Sequence, residues 1–310
     1  MRVVFLGTPD FAVPSLDAMV LAGHSVLGVF TQPDRPKGRG QQVAESPVKQ
    51  AAVRLGLPVF QPERIRRPES IEQLRSFGAD LMVVVGYGQI IPQSIIDLPR
   101  RGILNVHASL LPKYRGAAPI QWAIASGETK TGVTIMQIDA GLDTGAMLAK
   151  ASTDIGPDET APELSARLAA LGAQLLIDTI GAIECGTAIR EKQNDSEATL
   201  APILKKEDGR VDWTRPAREI NNRRRGFTPW PGAYTTFRGQ PLALLRTEAL
   251  EDTSLLPGVV RVDGKKLLVG TGDGALAVAD VQPGGKKRMS AEAYINGYKP
   301  QNGERMGDEQ

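Results

Sequence analysis

Residues 80–86 read DLMVVVG, a continuous apolar run that is rich in β-branched side chains. A strand that is apolar at every position is buried on both faces, as in a parallel sheet covered by helices on both sides. Residues 2–8 (RVVFLGT) and 25–31 (SVLGVFT) have the same texture, and helical patterns follow them at residues 11–22 and 47–56. This pattern predicts an α/β domain with a Rossmann-like, mostly parallel sheet and helices on both faces.

The alternation of strand and helix patterns continues through the first two thirds of the chain. Short apolar runs that are bounded by turn residues predict strands, whereas apolar spacing of three and four predicts helices. Further strands are expected at residues 57–60, 103–107 and 133–138, and further helices at residues 69–77 and 161–185.

The texture of the sequence changes after the last of these helices. Residues 187–210 are polar and contain a charged stretch, and from residue 211 onward short β-rich runs are separated by Gly and Pro. Short strands with regular turn signals are typical of a small barrel. We therefore predict a first domain at residues 1–189, a linker at 190–210 and a barrel domain at 211–310. The barrel strands are expected at residues 233–237, 241–248, 258–262, 266–269 and 276–281.

Composition excludes several classes of protein. The 310 residues carry 37 Lys and Arg against 35 Asp and Glu, so the net charge of +2 does not by itself indicate a polyanionic partner. Cys185 is the single cysteine and His24 and His107 are the two histidines. An internal disulfide and a Cys/His zinc cluster are therefore unavailable, and we expect no metal. Asp10 and Asp17 interrupt any N-terminal apolar core, and no stretch reaches the roughly 20 apolar residues of a membrane span. We expect a cytoplasmic protein without membrane contact.

The first strand ends in Gly7-Thr8-Pro9-Asp10-Phe11-Ala12, at the place where a dinucleotide-binding fold carries G-x-G-x-x-G. The second glycine of that motif is replaced by Pro9, which lacks the backbone donor that a pyrophosphate needs. A nicotinamide-dependent dehydrogenase therefore loses its strongest support.

Residues 31–40 read TQPDRPKGRG and are predicted to form an irregular loop after the second strand. Arg35, Lys37 and Arg39 stand at every second position of this loop. A solvated surface loop is one interpretation. The other is a loop that binds phosphates, because glycine allows close backbone approach and arginine pairs with phosphate in a bidentate manner.

Residues 105–119 read NVHASLLPKYRGAAP and begin within a predicted strand. In an open α/β sheet the carboxyl ends of the strands form the ligand-binding edge. Asn105 and His107 are two positions apart, so both side chains point to the same side of the strand. An amide and an imidazole at such a place suit an oxyanion and a proton transfer, although a lone histidine can equally be structural. Pro112 ends the strand, and we expect residues 109–112 to form a loop whose backbone groups remain free for a ligand.

Residues 138–145 read IDAGLDTG and form a second loop after a predicted strand. Asp139 and Asp143 are candidate carboxylates, and each can equally form an Asx-turn or cap a helix. A carboxylate beside a histidine can act as a base or orient the imidazole. In the second domain, residues 223–225 (RRR) precede residues 226–231 (GFTPWP). Basic residues near aromatic ones can bind nucleic acid, or they can form a helix end beside a core.

Taken together, these segments resemble the 10-formyltetrahydrofolate-dependent formyltransferases over essentially the whole chain. The NVHASLLPKYRG and GLDTG segments match the wider family. FLGTPDFA at the start, the TQPDRPKGRG loop, and GFTPWPGA in the second domain resemble the tRNA-specific branch. The resemblance implies transfer of a formyl group from 10-formyltetrahydrofolate, as co-substrate, to the amino group of initiator methionyl-tRNA. It also implies that residues 1–189 are the catalytic domain and that the C-terminal domain is an OB-like β-barrel that supports the tRNA.

The resemblance assigns roles to individual residues. Asn105, His107 and Asp143 match the catalytic trio of the family. The folate-binding stretch corresponds to Ser109, Leu110, Leu111 and Pro112, and the loop that meets the tRNA acceptor stem contains Arg35, Lys37 and Arg39.

Two other classes of function stay open on the sequence. One is a formyltransferase that acts on an amino-sugar nucleotide or another small amine, and the other is a non-catalytic RNA-binding protein. The basic loop disfavours the first class, and the Asn105, His107 and Asp143 set disfavours the second. We expect the protein to act as a monomer.

Overall fold

The computed structural model describes residues 1–37 and 42–307. These residues form two compact units. The first contains Met1–Pro119, Lys130–Asp154 and Ser165–Pro202, and the second contains Ile120–Thr129, Ile155–Leu164 and the remainder of the chain from Ile203. The domain boundaries at residues 189 and 211 stay a prediction.

A seven-stranded, mostly parallel sheet forms the centre of the first unit, in the strand order β10-β9-β7-β6-β1-β2-β5. Five neighbouring strands of this sheet, β7, β6, β1, β2 and β5, run parallel. Strand β9 is antiparallel to β7, and β10 is antiparallel to β9. The α/β, Rossmann-like class is thereby confirmed. The strands of this unit are β1 (Arg2–Gly7), β2 (Ser25–Phe30), β3 (Arg35–Lys37), β4 (Gln42–Ala44), β5 (Val59–Phe60), β6 (Leu81–Val85), β7 (Ile103–His107), β8 (Arg115–Gly116), β9 (Lys130–Gln137), β10 (Met147–Asp154) and β11 (Leu200–Ala201).

Helices cover both faces of this sheet. Alternate residues of β1 and β6 pack with residues from two helices that follow β5 and β6, and Ile103 of β7 belongs to the same core. On the other face, a long helix approaches closely enough that a Cβ on its Gly172 would lie 2.9 Å from Val106 Cγ1. The first unit contains α1 (Val13–Leu21), α2 (Pro47–Arg54), α3 (Pro68–Ser76), α4 (Gln93–Ile96) and, from Ser165 onward, α6 (Ala161–Glu184). The second unit contains α5 (Pro119–Ala125) from Ile120 onward, α7 (Ala217–Gly226) and α8 (Ala291–Tyr298).

Helix α6 is long and apolar enough, by length and composition alone, to be a candidate membrane span. This differs from the expectation of no such stretch. Its residues Leu168, Leu176 and Ile180 are fully buried, and Gly172 lies against the sheet. The apolar character of α6 is therefore explained by its place in the core of the fold.

Two expectations for the first unit need correction. The loop at residues 31–40 is not wholly irregular, because Arg35–Lys37 pairs with Gln42–Ala44 as an antiparallel hairpin. Strand β10 was missed altogether. Its burial alternates between partly exposed and exposed positions, since it is the edge strand of the sheet, and such a strand lacks the continuous apolar signal of a buried one.

An antiparallel sheet forms the second unit, in the order β12-β13-β16-β15-β14, with β17 paired to β16. The stretch at Arg305 and Met306 bridges both ends of this order, pairing with Val259 beside β14 and with Phe237 of β12. The sheet is thus closed in the manner of the predicted barrel. Its strands are β12 (Ala233–Phe237), β13 (Gln240–Leu250), β14 (Val260–Asp263), β15 (Lys266–Gly270), β16 (Ala275–Pro283) and β17 (Met289–Ser290).

The arginine run at residues 223–225 lies at the end of α7, and two of its members are buried. Arg225 donates from Nη1 to the carbonyl of Gly156 at 2.8 Å and from Nε and Nη2 to Asn222 Oδ1 at 3.1 and 3.0 Å. Burial lowers the pKa of Arg225 and of Arg224. These two guanidinium groups are therefore structural, and the nucleic-acid interpretation does not hold for them. Phe227 is also core, whereas Trp230 is 55% exposed.

We expect Arg225→Ala to lower the free energy of unfolding by about 1–3 kcal/mol, because it leaves buried acceptors without donors. Arg218→Ala, which removes an exposed arginine of the same helix, is the matched control and should change stability by no more than about 0.5 kcal/mol. Urea unfolding measures both. Equal stability of the two variants would contradict the structural role of Arg225.

Candidate active site

Strand β7 carries the amide and the imidazole of the candidate site. Asn105 pairs in the sheet with Val84 on one side and Met136 on the other, which fixes its backbone between two strands. Asn105 and His107 share the face on which Ile103 is buried, because side chains two apart on a strand point the same way. The side chain of His107 is only 6% exposed. The sheet therefore holds both groups in a fixed relation.

Asp143 reaches the same place from the loop between β9 and β10. Because β9 is antiparallel to β7, its end at Gln137 pairs with Leu104, and the loop folds back to bring Asp143 toward Asn105 and His107. The structure thus brings the three predicted residues together.

The Asp143 carboxylate is held mainly by the backbone. Its Oδ2 accepts a hydrogen bond from the Gly116 N–H at 2.8 Å and lies 3.7 Å from Nδ1 of His107. Its Oδ1 is 3.4 Å from Nδ2 of Asn105, which is long for a hydrogen bond. Neither Asn105 nor His107 is therefore strongly engaged by the carboxylate, which leaves the Nδ2 donor of Asn105 and the Nδ1 atom of His107 available to a substrate.

The backbone of Asp143 is strained. Its φ is 51°, in the left-handed region that costs residues other than glycine roughly 1–3 kcal/mol. Two residues on, Gly145 lies so close to the Gln137 carbonyl that a Cβ would stand 1.7 Å from the oxygen. The surrounding contacts must therefore hold this loop against its own preference.

The geometry defines the tautomer of His107. Its Nε2 lies 2.9 Å from the carbonyl oxygen of Tyr114, and a carbonyl oxygen can only accept. The proton of the neutral ring is therefore on Nε2, and Nδ1 faces Asp143. Tyr114 itself has a φ of 62°, which directs its carbonyl to the ring. Nδ1 is the nitrogen that can exchange a proton with a substrate.

Asp139 differs from Asp143 although both stand in one loop. Asp139 Oδ1 accepts hydrogen bonds from the Gly141 N–H at 3.0 Å and from the Thr144 hydroxyl at 2.8 Å. This is the Asx-turn arrangement that the sequence left open for both residues. Asp139 shapes the loop, whereas Asp143 faces the imidazole.

The loop at residues 109–112 is more ordered than expected. Ser109 and Leu111 are buried, and Leu111 packs with Met136 and Met147. The Leu111 N–H donates to the Thr134 hydroxyl at 3.1 Å, and that hydroxyl donates to the Ser109 carbonyl at 2.7 Å. The carbonyls of Leu110 and Pro112 accept from the Lys113 N–H at 3.2 Å and the Thr199 N–H at 3.4 Å. The expectation that the backbone groups of this loop remain free is therefore wrong. Leu110 and Pro112 are half-buried.

Two of the three basic residues of the predicted tRNA loop lie within the described part of the chain. Arg35 is exposed in β3, and Lys37 ends the same strand. Arg39 lies outside the described residues. Across residues 1–37 and 42–307, no group of three or more His, Cys, Asp or Glu side chains is arranged to hold a metal ion.

Sequence reasoning missed the residues that surround the trio. The buried amide of Gln193 and the buried guanidinium of Arg115 lie next to the Asp143 loop, and Gly116 supplies its hydrogen-bond donor. Gln193 stands in a stretch that we predicted to be a linker because it is polar throughout. No local pattern distinguishes a polar residue that is buried by a distant loop from one in solvent.

Comparison with known proteins places this chain in a family. The sequence pattern of the formyl transferase family matches residues 1–180, and that of the formyl transferase C-terminal domain matches residues 203–299. Methionyl-tRNA formyltransferases from Solibacter usitatus and Koribacter versatilis are 60% and 57% identical to this chain, each over 99% of both chains. The chain belongs to the methionyl-tRNA formyltransferase family. The family resemblance that the motifs indicated is confirmed.

Solved structures of lower identity share the fold of the family. An N-formyltransferase from Helicobacter canadensis, in complex with folinic acid and dTDP-3-aminofucose, has a TM-score of 0.68 at 19% identity. The match covers 91% of this chain and 99% of that one. Glycinamide ribonucleotide transformylase 1 from Symbiobacterium toebii has a TM-score of 0.53 at 20% identity, covering 63% and 94% of the two chains. At these identities the likeness concerns the fold alone.

Proposed function

We propose that this protein transfers the formyl group of 10-formyltetrahydrofolate to the free amino group of methionyl-tRNA, giving N-formylmethionyl-tRNA for translation initiation. The observation that carries the proposal is the convergence of Asn105, His107 and Asp143, in a chain that matches methionyl-tRNA formyltransferases from end to end. The folate supplies an activated formyl group. The residues of the chain bind and orient it and move protons at the amine.

Asn105 and His107 stabilise the negative charge that develops on the formyl oxygen when the amine adds to the formyl carbon. The amide of Asn105 has a donor that is held only loosely, at 3.4 Å from Asp143. The imidazole of His107 is fixed through Nε2, so its Nδ1 donates to the oxyanion only after it has accepted a proton. Donors aimed at a developing oxyanion are among the largest contributions to catalysis of acyl transfer.

Asp143 handles the proton that the attacking amine must lose. Its side chain is 16% exposed and Oδ2 stands 3.7 Å from Nδ1 of His107. A proton accepted near this pair can be passed to the folate nitrogen that leaves.

Residues 109–112 bind the folate, because they correspond to the folate-binding stretch of the family. The half-buried side chains of Leu110 and Pro112 supply the apolar surface that a flat heterocycle needs. Buried Ser109, whose hydroxyl donates to the Lys113 carbonyl at 2.6 Å, and Leu111 fix the shape of the loop. This part of the proposal rests on the apolar character of Leu110 and Pro112 and on the order of the loop.

Arg35, Lys37 and Arg39 contact phosphates of the tRNA acceptor stem. We expect replacement of all three by Ala to weaken tRNA binding and to flatten its salt dependence by about 0.7–0.9 per lost contact, because fewer counterions are released. Folate binding should be unaffected. Filter-binding titrations across a range of salt concentrations measure the slope, and an unchanged slope would show that the loop is an ordinary solvated surface.

Two further properties belong to this proposal. We propose that the protein acts in the cytoplasm, where charged tRNA and folate are available, and that it acts as a monomer. Analytical ultracentrifugation with and without tRNA tests the second statement, and a stable dimer of the free protein would contradict it.

The choice of acceptor distinguishes this function from that of the sugar and nucleotide formyltransferases that share the fold. The experiment offers methionyl-tRNA, an amino-sugar nucleotide and glycinamide ribonucleotide together with limiting 10-formyltetrahydrofolate. We expect formyl transfer to methionyl-tRNA alone. Preferential formylation of either small amine would overturn the proposal.

A further inference from the structure

The side chain of Gln193 is 4% exposed and uses both ends of its amide. Its Nε2 donates to the carbonyl oxygens of Asp143 and Gly145, each at 2.8 Å. Its Oε1 accepts from Arg115, from Nε at 3.0 Å and from Nη2 at 2.8 Å. Because carbonyls only accept and a guanidinium only donates, one orientation of the amide satisfies all four contacts.

The segment that carries Gln193 contacts both loops of the site. Leu200 and Ala201 of β11 pair in parallel with Arg115 and Gly116 of β8. Upstream of that bridge, Thr199 accepts from the Tyr114 N–H through its hydroxyl at 2.9 Å. Residues 193–201, which we call the strap, therefore join the loop that holds His107 to the loop that holds Asp143.

We propose that Gln193 is a positioning residue for the transfer reaction, which keeps Asp143 in its left-handed conformation with the carboxylate directed at His107. The two donated hydrogen bonds hold the peptide planes that follow Asp143 and Gly145, and they thereby restrain the backbone from which the Asp143 side chain projects. The inference rests on the proposed role of Asp143. Arg115, 8% exposed at its side chain and bonded also to Asp195 at 2.7 Å, holds the amide in register.

The hydrogen bonds of Gln193 are more specific than stabilisation of the fold alone would require. A buried loop can be stabilised by apolar contacts, whereas here a primary amide is buried with every polar atom satisfied, beside a residue with a φ of 51°. Hydrogen-bond partners that orient metal ligands typically change activity by 10–100-fold when removed, and we expect an effect of about that size for a partner that orients Asp143.

The test begins with Gln193→Met, which keeps the length of the side chain and removes its donors and acceptor. We expect single-turnover formyl transfer to fall by about 10–100-fold. The KM for methionyl-tRNA and for the folate should stay nearly unchanged, because the Gln193 side chain is buried and its amide is fully engaged by Arg115, Asp143 and Gly145. Gln174→Met, the same change at an exposed site on α6, is the matched control and should behave as wild type.

A double-mutant cycle separates positioning from general support of the fold. If Gln193 acts through Asp143, then Gln193→Met should cost little further activity in an Asp143→Asn background. An equal fold-loss in both backgrounds would overturn the inference and leave the proposed function intact. Near-wild-type turnover by Asp143→Asn alone would overturn the inference together with the proposed role of Asp143, whereas absence of formyl transfer by the wild-type protein would overturn the proposed function.

Gln193→Glu keeps the test decisive if the Met variant folds poorly. Its carboxylate still accepts from Arg115 but has no N–H to offer to the Asp143 and Gly145 carbonyls. We expect a folded protein, by thermal melting, that binds tRNA normally and has lost about as much turnover as Gln193→Met. Wild-type turnover by folded Gln193→Glu would show that the two donated hydrogen bonds are not needed.

Discussion

Asp143→Asn is expected to lower the rate of formyl transfer by about 10²–10⁴-fold, the usual loss for a positioned acid–base group. Asparagine has nearly the same shape, and its Oδ1 can still accept from the Gly116 N–H, the 2.8 Å contact that holds the carboxylate. The change therefore removes the charge and the proton-accepting group while keeping the loop. Single-turnover kinetics with enzyme in excess measure a rate this slow.

Asp139→Asn is the matched control for this prediction. Asp139 accepts hydrogen bonds from Gly141 and Thr144, and an asparagine carbonyl accepts the same two. We expect Asp139→Asn to keep most of the activity and to melt close to wild type. The assignment of Asp143 fails if Asp143→Asn keeps most of its activity, or if Asp139→Asn is the more damaging change.

His107→Ala is expected to lower turnover by about 10²-fold or more, because it removes a donor that acts on the developing oxyanion. Affinity for tRNA should be nearly unchanged, since the loss falls on the transition state. Steady-state kinetics and tRNA titration separate the two effects.

The same variant also leaves a cavity in a buried site and an acceptor, the Tyr114 carbonyl, without its donor. His107→Gln is the second variant, because its amide fills part of the space and can donate to that carbonyl. If His107 is catalytic, both variants lose turnover although only His107→Ala loses stability. Near-wild-type turnover by a folded His107→Gln would assign the ring a structural role.

The elements of the fold were predictable where their burial produces a local apolar pattern in the sequence. Strands β1, β2 and β6 are buried on both faces, and their continuous apolar runs gave their position within one or two residues. Edge strand β10 and helix α7 were missed. Strand β10 has one exposed face, and α7 is polar in sequence although Arg224 and Arg225 are buried.

In the candidate site, too, the residues placed by local periodicity were predictable and those brought in by distant segments were not. Asn105 and His107 could be placed on one side of a strand because the period of a strand is local. The return of Asp143 to them depends on β9 being antiparallel to β7, which no residue in the loop encodes. Gln193 is brought in from 50 residues beyond Asp143. A side chain that is buried by a distant segment produces no periodic pattern in the segment that carries it.

The most direct test of the account is the product itself. Purified protein is incubated with isotopically labelled 10-formyltetrahydrofolate and charged initiator tRNA, and the amino acid released from the tRNA is identified by mass spectrometry. We predict labelled N-formylmethionine from wild-type protein and about 10²–10⁴-fold slower appearance of it from Asp143→Asn. Methionine that stays unformylated, in the presence of folded protein and intact substrates, would contradict it.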